Sequence, residues 1–531
     1  MTANGNPPPY PTHPTHAISR RDLLRSGGLL AATMAAGGLL TACSGSTDTA
    51  AKTTAKKGGV LRVAATGGSA KDSLDPHNPL TYPDQARVLS LYEPLFFHDA
   101  KYRLKPLLAQ SIEPSKDGMT WTLRLRDGVE FHNGKTLGAD DVIASLRRIM
   151  NPKSPAAGAT SLAVIDAARL KKLDARTVRI TLKHPYALLQ DLLAQYSLGI
   201  VPADFDITKP VGTGPFAYKS FDPGNQSTFT RFAGYWQRPA YVDQLDIIDF
   251  ADDTAKVNAL LSGQVDALDN LPQSQIKVIE AQGGKVLVSE TGAWTPITMR
   301  VDTGPFRDAR VRQAFRLIVD RPQMVSQVLN GQGRIGNDLY APFDPAYNDA
   351  LPQRAQDLAQ AKSLLKAAGH DGLTVELATS SGIGSGAVEA AQLFAEQAKG
   401  AGVTVKVRTA DSSTFYGDQY LSWPFAEDYW FTRNYLPQVN QGSVKAAPYN
   451  ETHWNDPEFV SLIDQASRQF DAGKRDELLK AAQKIEYESG GYIVWGFKNQ
   501  VDAYAAGVSG FTPDRNLPLS NYQFRNVSVS G

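Results

Sequence analysis

The chain has 531 residues, with 55 Lys+Arg against 54 Asp+Glu for a formal net charge of +1, 42% hydrophobic residues and a single cysteine. That length exceeds what one core usually fills and allows two or three domains. The balanced charge leaves no polybasic footprint for nucleic acid, and one Cys excludes a disulfide scaffold or a Cys-built metal centre.

In chain order, residues 1–18 are rich in Pro, Thr and His and show no hydrophobic period, a composition that does not fold alone. Ser19-Arg20-Arg21-Asp22-Leu23-Leu24-Arg25 is basic, and an apolar run of 14 residues follows from Gly27 to Leu40. As a helix that run would span about 21 Å, short of a ~30 Å bilayer core. It ends at Leu40-Thr41-Ala42-Cys43, and the order basic, apolar, small describes a secretory signal. Arg20-Arg21 resembles a twin-arginine export signal, and the final tetrad resembles a bacterial lipobox, whose Cys is acylated and becomes the new N-terminus. A chance thiol beside an ordinary signal is the bland alternative. The position of the only Cys favours lipidation at Cys43. Residues 1–43 are thus expected to be an export signal and 44–57 a flexible tether. The protein is expected outside the cytoplasm, at the cell surface or in the periplasm, held to the membrane by lipid alone.

The folded part is expected to open at Gly58-Gly59 with a strand over Val60-Leu61-Arg62-Val63-Ala64, and strand and helix patterns alternate thereafter, which implies a mixed α/β architecture. Trp121, Leu123 and Leu125 alternate with Thr122, Arg124 and Arg126, the pattern of a half-buried strand. Asp127-Gly128 then turns the chain, and Val129 to His132 runs back to a second turn at Asn133-Gly134. A helix follows with Asp140-Asp141 in its first turn and Val142, Leu146 and Met150 on one face. Further stripes are Val311, Ala314, Phe315 and Ile318; Leu358, Ala361, Leu365 and Ala368, stopped by Gly369; and Leu478, Ala482 and Ile485. All are read as core. Pro/Gly-rich joints lie at 202–215 and 302–306.

The stretch from Leu107 to Arg148 carries Asp117-Gly118, Leu125-Arg126-Asp127-Gly128-Val129, Phe131-His132-Asn133-Gly134 and Ala139-Asp140-Asp141-Val142. It closely resembles the signature region of extracellular solute-binding proteins of family five, the oligopeptide, dipeptide and nickel-type receptors of ABC importers. The similarity continues in order through Leu74-Asp75-Pro76, Tyr92-Glu93-Pro94-Leu95, Pro210 to Phe216, Tyr235-Trp236, Asn258 to Gly263, Pro305 to Ala314 and Ile318 to Arg321, with weaker echoes to Glu486. Any one block is weak, whereas the ordered set is strong. The resemblance implies an α/β, two-lobed periplasmic-binding-protein-like fold (type II, cluster C) with an extra subdomain inserted in the first lobe. By that analogy the first lobe comprises 58–92, 205–287 and 497–531, the insert 93–204 and the second lobe 288–496. It also implies a monomer that closes on a small-molecule or peptide ligand by hinge motion and hands it to ABC permease subunits.

The resemblance implies no cofactor and no catalysis, and the residues agree. Gly331-Gln332-Gly333-Arg334-Ile335-Gly336 matches a dinucleotide fingerprint but follows a helix, the wrong setting. Ser363-Leu364-Leu365-Lys366 matches a penicillin-recognising motif but sits inside an amphipathic helix, without companion motifs. His77, His98, His132, His184, His370 and His453 are scattered without metal-ligand spacing. A secreted hydrolase is the disfavoured rival class, and an oligosaccharide or metal-chelate receptor is the alternative on the same scaffold.

Candidate ligand contacts are the aromatic residues Trp294, Trp423, Tyr429, Trp430 and Tyr435, since pockets are mostly apolar with a few orienting polar groups, each weighed against plain core. Gly212-Thr213-Gly214 could bring backbone N–H groups close to a ligand, or could be only a tight turn. Peptide-binding members usually carry an Asp in the second lobe that pairs with the ligand's amine. Here Arg433 or Asn434 falls nearer that anchor position, and Arg300 replaces a common Asn. A guanidinium suits carboxylate or phosphate rather than ammonium. The ligand is expected to lack a free amine there or to carry an anionic group, with a structural salt bridge at Arg300 or Arg433 as the alternative.

Overall fold

The computed structural model describes residues 56–530; the expected signal, Cys43 and nearly all of the tether lie outside the described residues. The strand expected at 60–64 is Val60–Thr66, at the centre of an eight-stranded mixed sheet. Across that sheet run Lys285–Ala293, Gly496–Tyr504, Ala267–Leu268, Val60–Thr66, Gln244–Phe250, Gln226–Arg231 and Phe216–Asp222, with Gly333–Ile335 also pairing with Gly496–Tyr504. Leu61 and Val63 enter one apolar core and Ala64 another. Both faces are therefore covered, as a parallel centre requires.

A second sheet of five strands runs in the order Thr404–Thr409, Thr374–Thr379, Phe425–Glu427, Ile297–Met299, Tyr492–Ile493. Its parallel pair Thr374–Thr379 and Thr404–Thr409 is joined by the helix Ala387–Lys399, whose Ala390, Ala391, Phe394 and Ala398 are buried at helical spacing. These two sheets are the cores of the two lobes. The chain passes from the first to the second through Trp294-Thr295-Pro296 and returns through Val494-Trp495. Val288, where the crossing was expected, lies inside the long strand of the first sheet, paired with Val501.

A four-stranded sheet, Ala109–Pro114, Thr120–Leu125, Thr177–Thr181 and Lys171–Asp174, forms the insert. Thr120–Leu125 alternates buried and exposed as its sequence implies. Its partners are Ala109–Pro114 and Thr177–Thr181, so the segment after Asp127-Gly128 does not pair back on it. Val129 to Leu137 instead closes a small loop of its own, with Glu130 bridging Thr136 across the Asn133-Gly134 turn. The helix Ala139–Ile149 follows, and the Asp141 carboxylate accepts from the Gly138 backbone N–H at 2.9 Å, satisfying an otherwise orphan donor.

The stripe Val311, Ala314, Phe315 and Ile318 is fully buried on the helix Ala309–Ile318. On Ala472–Ser489 the buried face is rotated from the expected one. Leu479, Ala482, Gln483 and Glu486 are buried, whereas Leu478 and Ile485 are half-buried at the core's edge. The polar residues are drawn inward by partners: Glu486 accepts from the Tyr435 hydroxyl at 2.6 Å. One apolar cluster joins the insert to the second lobe, running from Leu95 to Ile200 and resuming from Trp294 to Phe497, with Trp121 and Phe470 rings 5.9 Å apart. The lobes are closed on one another.

Candidate ligand-binding site

A cavity of about 1100 Å³ lies between the insert, the segment 431–449 of the second lobe and the C-terminal segment 516–525. On the first-lobe side its floor is built around Glu93. That carboxylate is buried and accepts from the Tyr235 hydroxyl at 2.6 Å, the Trp236 indole N–H at 2.9 Å and the Thr213 hydroxyl at 2.9 Å. Burial pushes its pKa up against these three donors. Arg126 lies over the Trp236 ring at 5.3 Å and Arg525 over the Tyr235 ring at 5.6 Å, so two guanidiniums rest on the aromatic floor.

The opposite wall is the run Phe431-Thr432-Arg433-Asn434. Thr432 ties it to three other segments. Its backbone carbonyl accepts from the Tyr102 hydroxyl of the insert at 2.9 Å. Its own hydroxyl accepts from Gly292 N–H at 2.8 Å and donates to Arg515 O at 2.8 Å. Asn434 donates to the Asp191 carboxylate at 2.6 Å, a second bond between the second lobe and the insert. The other Asp191 oxygen stands 3.1 Å from His98 Nε2, and the His98 ring stacks on Tyr102 at 4.2 Å. Arg433 lies over Trp430 at 5.4 Å and makes one long side-chain bond, to Gln438 Oε1 at 3.4 Å. Tyr102, Tyr196, Tyr449 and Tyr429 lie around it, and burial lowers its pKa.

Among the residues singled out from sequence, Arg433 lines this cavity. Arg300 does not: it makes a bidentate pair with Asp302 at 2.9–3.0 Å and donates to Ser422 O at 2.9 Å, and His453 shares the same Asp302. That pairing holds the Asp302 carboxyl down at about 2. Trp294 and Trp430 bridge each other's backbones at the crossing between lobes, and Trp294 is buried against Tyr340, Trp430 and Tyr492. Trp423 is buried on Phe415, to whose carbonyl its indole donates at 3.1 Å. Tyr429 is 42% exposed beside Phe431. Tyr435 is wholly buried and engaged with Glu486.

Gly212 and Gly214 face backbone rather than ligand. A Cβ at Gly212 would stand 2.0 Å from Leu91 O, and one at Gly214 would stand 2.4 Å from Ser90 O. Thr213 reaches the cavity only through Glu93. The residues that sequence reasoning passed over, Glu93 and Trp236, do fall within the quoted blocks Tyr92-Glu93-Pro94-Leu95 and Tyr235-Trp236, the signal that could have found them. Asp191 and Tyr102 carried no such signal.

The dinucleotide-like Gly331 to Gly336 contains the short strand Gly333–Ile335, where a Cβ at Gly336 would meet Val494 O at 2.4 Å. Ser363 and Lys366 lie on the helix Leu358–Ala367 with Leu365 in the core. Among the described residues no group of three or more His, Cys, Asp or Glu is placed to hold a metal ion, and no helix is long and apolar enough to cross a membrane.

Two α/β lobes closed over one large cavity define a two-lobed binding protein. The chain belongs to the bacterial extracellular solute-binding proteins, family 5, whose model matches residues 103–448. It is 27% identical over 503 residues to the glutathione-binding protein GsiB of Escherichia coli (strain K12), covering 87% of this chain and 93% of the relative. It is 28% identical over 504 residues, with the same coverage, to di/tripeptide-binding protein 2 of Pseudomonas aeruginosa (strain UCBPP-PA14). The fold matches the ABC transporter-associated periplasmic binding protein DppA from Helicobacter pylori in complex with the peptide STSA. That match has a TM-score of 0.75 at 22% identity and covers 90% of this chain and 99% of that one. The family consists of binding proteins, and its members work outside the cytoplasm.

Proposed function

We propose that this protein captures a peptide or peptide-like solute in the cavity between its lobes and delivers it to the permease of an ABC importer. The observation that carries the reading is the cavity of about 1100 Å³, closed by walls from the insert, the second lobe and the C-terminal segment. A volume of this size exceeds what an amino acid needs and suits an oligomeric solute. Relatives that bind glutathione or di- and tripeptides support the peptide class. The first lobe comprises 58–92, 205–293 and 496–531 and the second 297–493, with 93–204 as insert, and the two linking segments near Trp294 and Trp495 act as hinges. In this reading residues 1–43 export the chain, Cys43 anchors it through lipid, and the receptor works as a monomer at the membrane surface.

A thermal-shift screen with di- to pentapeptides, oligosaccharides and nickel chelates tests the ligand class. Ligand at ~100 times Kd stabilises by ~2.7 kcal/mol, a resolvable rise in Tm. A response to sugars or chelates alone would keep the receptor class and remove the peptide assignment. Cys43→Ala should release the protein from the membrane fraction; retention of the variant there would refute the anchor.

A further inference from the structure

We propose that the solute is an acid without a free ammonium group, an N-blocked or amine-free peptide-like carboxylate, whose anionic end pairs with Arg433. This rests on the peptide-like reading above and deepens it. An ammonium taken into a closed cavity must find an available carboxylate, because an unpaired buried charge is costly. The cavity wall holds two carboxylates, Glu93 and Asp191, and both have partners. Glu93 is occupied by three donors from Thr213, Tyr235 and Trp236. Asp191 is taken by Asn434 on one oxygen and stands against His98 on the other. It already serves as a tie between the insert and the second lobe.

The cations are in the opposite condition. Lys105, Arg126, Arg433 and Arg525 all line the cavity, and among the described residues none of the four has a carboxylate within 4.0 Å. Arg126 spends its guanidinium on the Leu107 carbonyl, and Arg525 feels the Glu93 charge without touching it. Lys105 is exposed, and Arg433, half-buried on the opposite wall, makes one bond, at 3.4 Å, with Tyr196 and Tyr449 also lining the cavity. A planar guanidinium on the cavity wall matches a carboxylate bidentately. Closure over an anion also resolves the cost of holding this guanidinium half-buried with no counter-ion. The ligand completes a pair that the protein leaves open, and closure is favoured by the acid itself.

The test is calorimetric titration of the purified protein with one tripeptide backbone in four forms: free, N-acetylated, C-amidated, and both. N-acetylation should leave affinity unchanged or raise it, and C-amidation should weaken binding by roughly tenfold to a hundredfold, the worth of a charge-assisted pair. Arg433→Gln should weaken the acetylated acid by the same factor and leave the doubly blocked form unmoved, and Arg433→Lys should restore only part. The wild-type comparison needs no variant, so a folding defect in either substitution does not remove the test. If acetylation costs more than tenfold, an amine anchor exists and the proposal falls; Asp191→Asn would then show the same loss. Equal binding of acid and amide also overturns it, while leaving the peptide reading intact. Binding of oligosaccharides or chelates with every peptide form silent overturns both readings.

Discussion

The turn at 212–214 and the run at 431–434 look alike as candidates, since each combines backbone freedom or polar reach with a position at a joint between folded parts. The fold uses them in opposite ways. The first is spent on the interior: its glycines let the chain pass against the carbonyls of Ser90 and Leu91, and Thr213 turns inward to Glu93. The second is spent on the cavity, held in place by Thr432 and Asn434 so that Arg433 is left open. What separates them is whether local hydrogen-bonding capacity is satisfied by the protein. A segment whose groups are all paired builds the wall, and a segment with one unpaired group is the part that can meet a ligand.

Substitution should make that contrast measurable, and the largest effect belongs to the wall. Gly212→Ala places a Cβ 2.0 Å from a backbone oxygen that cannot rotate away. Overpacking of this kind costs about 3 kcal/mol, read as a lower denaturant midpoint. An unchanged midpoint would show that the turn at 212–214 is not tightly packed against Leu91. Arg433→Ala should do the reverse, keeping the midpoint of the ligand-free protein while acid affinity falls roughly tenfold or more. A drop in stability without ligand would mark Arg433 as structural.

A smaller effect is expected at the latch between the two sides. Tyr102 sits at φ 60°, a left-handed conformation that a tyrosine rarely takes, and its hydroxyl donates to Thr432 O at 2.9 Å. Tyr102→Phe removes that bond and should weaken closure by about 1 kcal/mol, a roughly fivefold loss of affinity shared by every ligand in the panel. A loss confined to acids would instead place Tyr102 with Arg433.

A last prediction concerns pH and the strand that leads into the cavity wall. Glu427 is buried, its Oε1 has no hydrogen-bond partner while its Oε2 accepts from the Thr379 hydroxyl at 2.6 Å, and burial raises its pKa to about 8. Burial likewise raises Glu486 and Asp502 to about 7. An acid with a raised folded pKa contributes stability that is complete below its unfolded pKa and lost as pH climbs through the folded value. Tm should therefore be highest near pH 5 and decline toward pH 8. Glu427→Gln mimics the neutral form, so it should match wild type at pH 5 and decline less by pH 8. A Tm that rises over this range would contradict the burial of these groups as neutral acids.

Much of the architecture was legible because it repeats with a short period. Thr120–Leu125 alternates, and the Ala309–Ile318 stripe falls at helical spacing, so each states its buried face locally. On the helix Ala472–Ser489 the stripe Leu478, Ala482 and Ile485 lies a step off the buried face, because Gln483 and Glu486 are drawn inward by Ala346, Asn348, Ser443 and Tyr435, far away in sequence. Arg87 illustrates the same limit. It is fully buried among Asp72, Asp84 and Asp249, and nothing in its own neighbourhood of the chain distinguishes it from a surface arginine.

The order of blocks from Leu74 to Glu486 determined the family, and with it the two-lobed fold, because that order is a property of the chain alone. The hydrophobic periods determined most elements for the same reason. The site was decided by tertiary structure. Arg300 and Arg433 are equivalent as letters, but Asp302 stands beside one and no carboxylate within 4.0 Å beside the other. Trp294 became core because Tyr340, Trp430 and Tyr492 surround it. Whether a polar group is spent or available depends on what lies within a few ångströms of it: Asp302 is near Arg300 in the chain, whereas the neighbours of Trp294 and Thr432 come from distant segments.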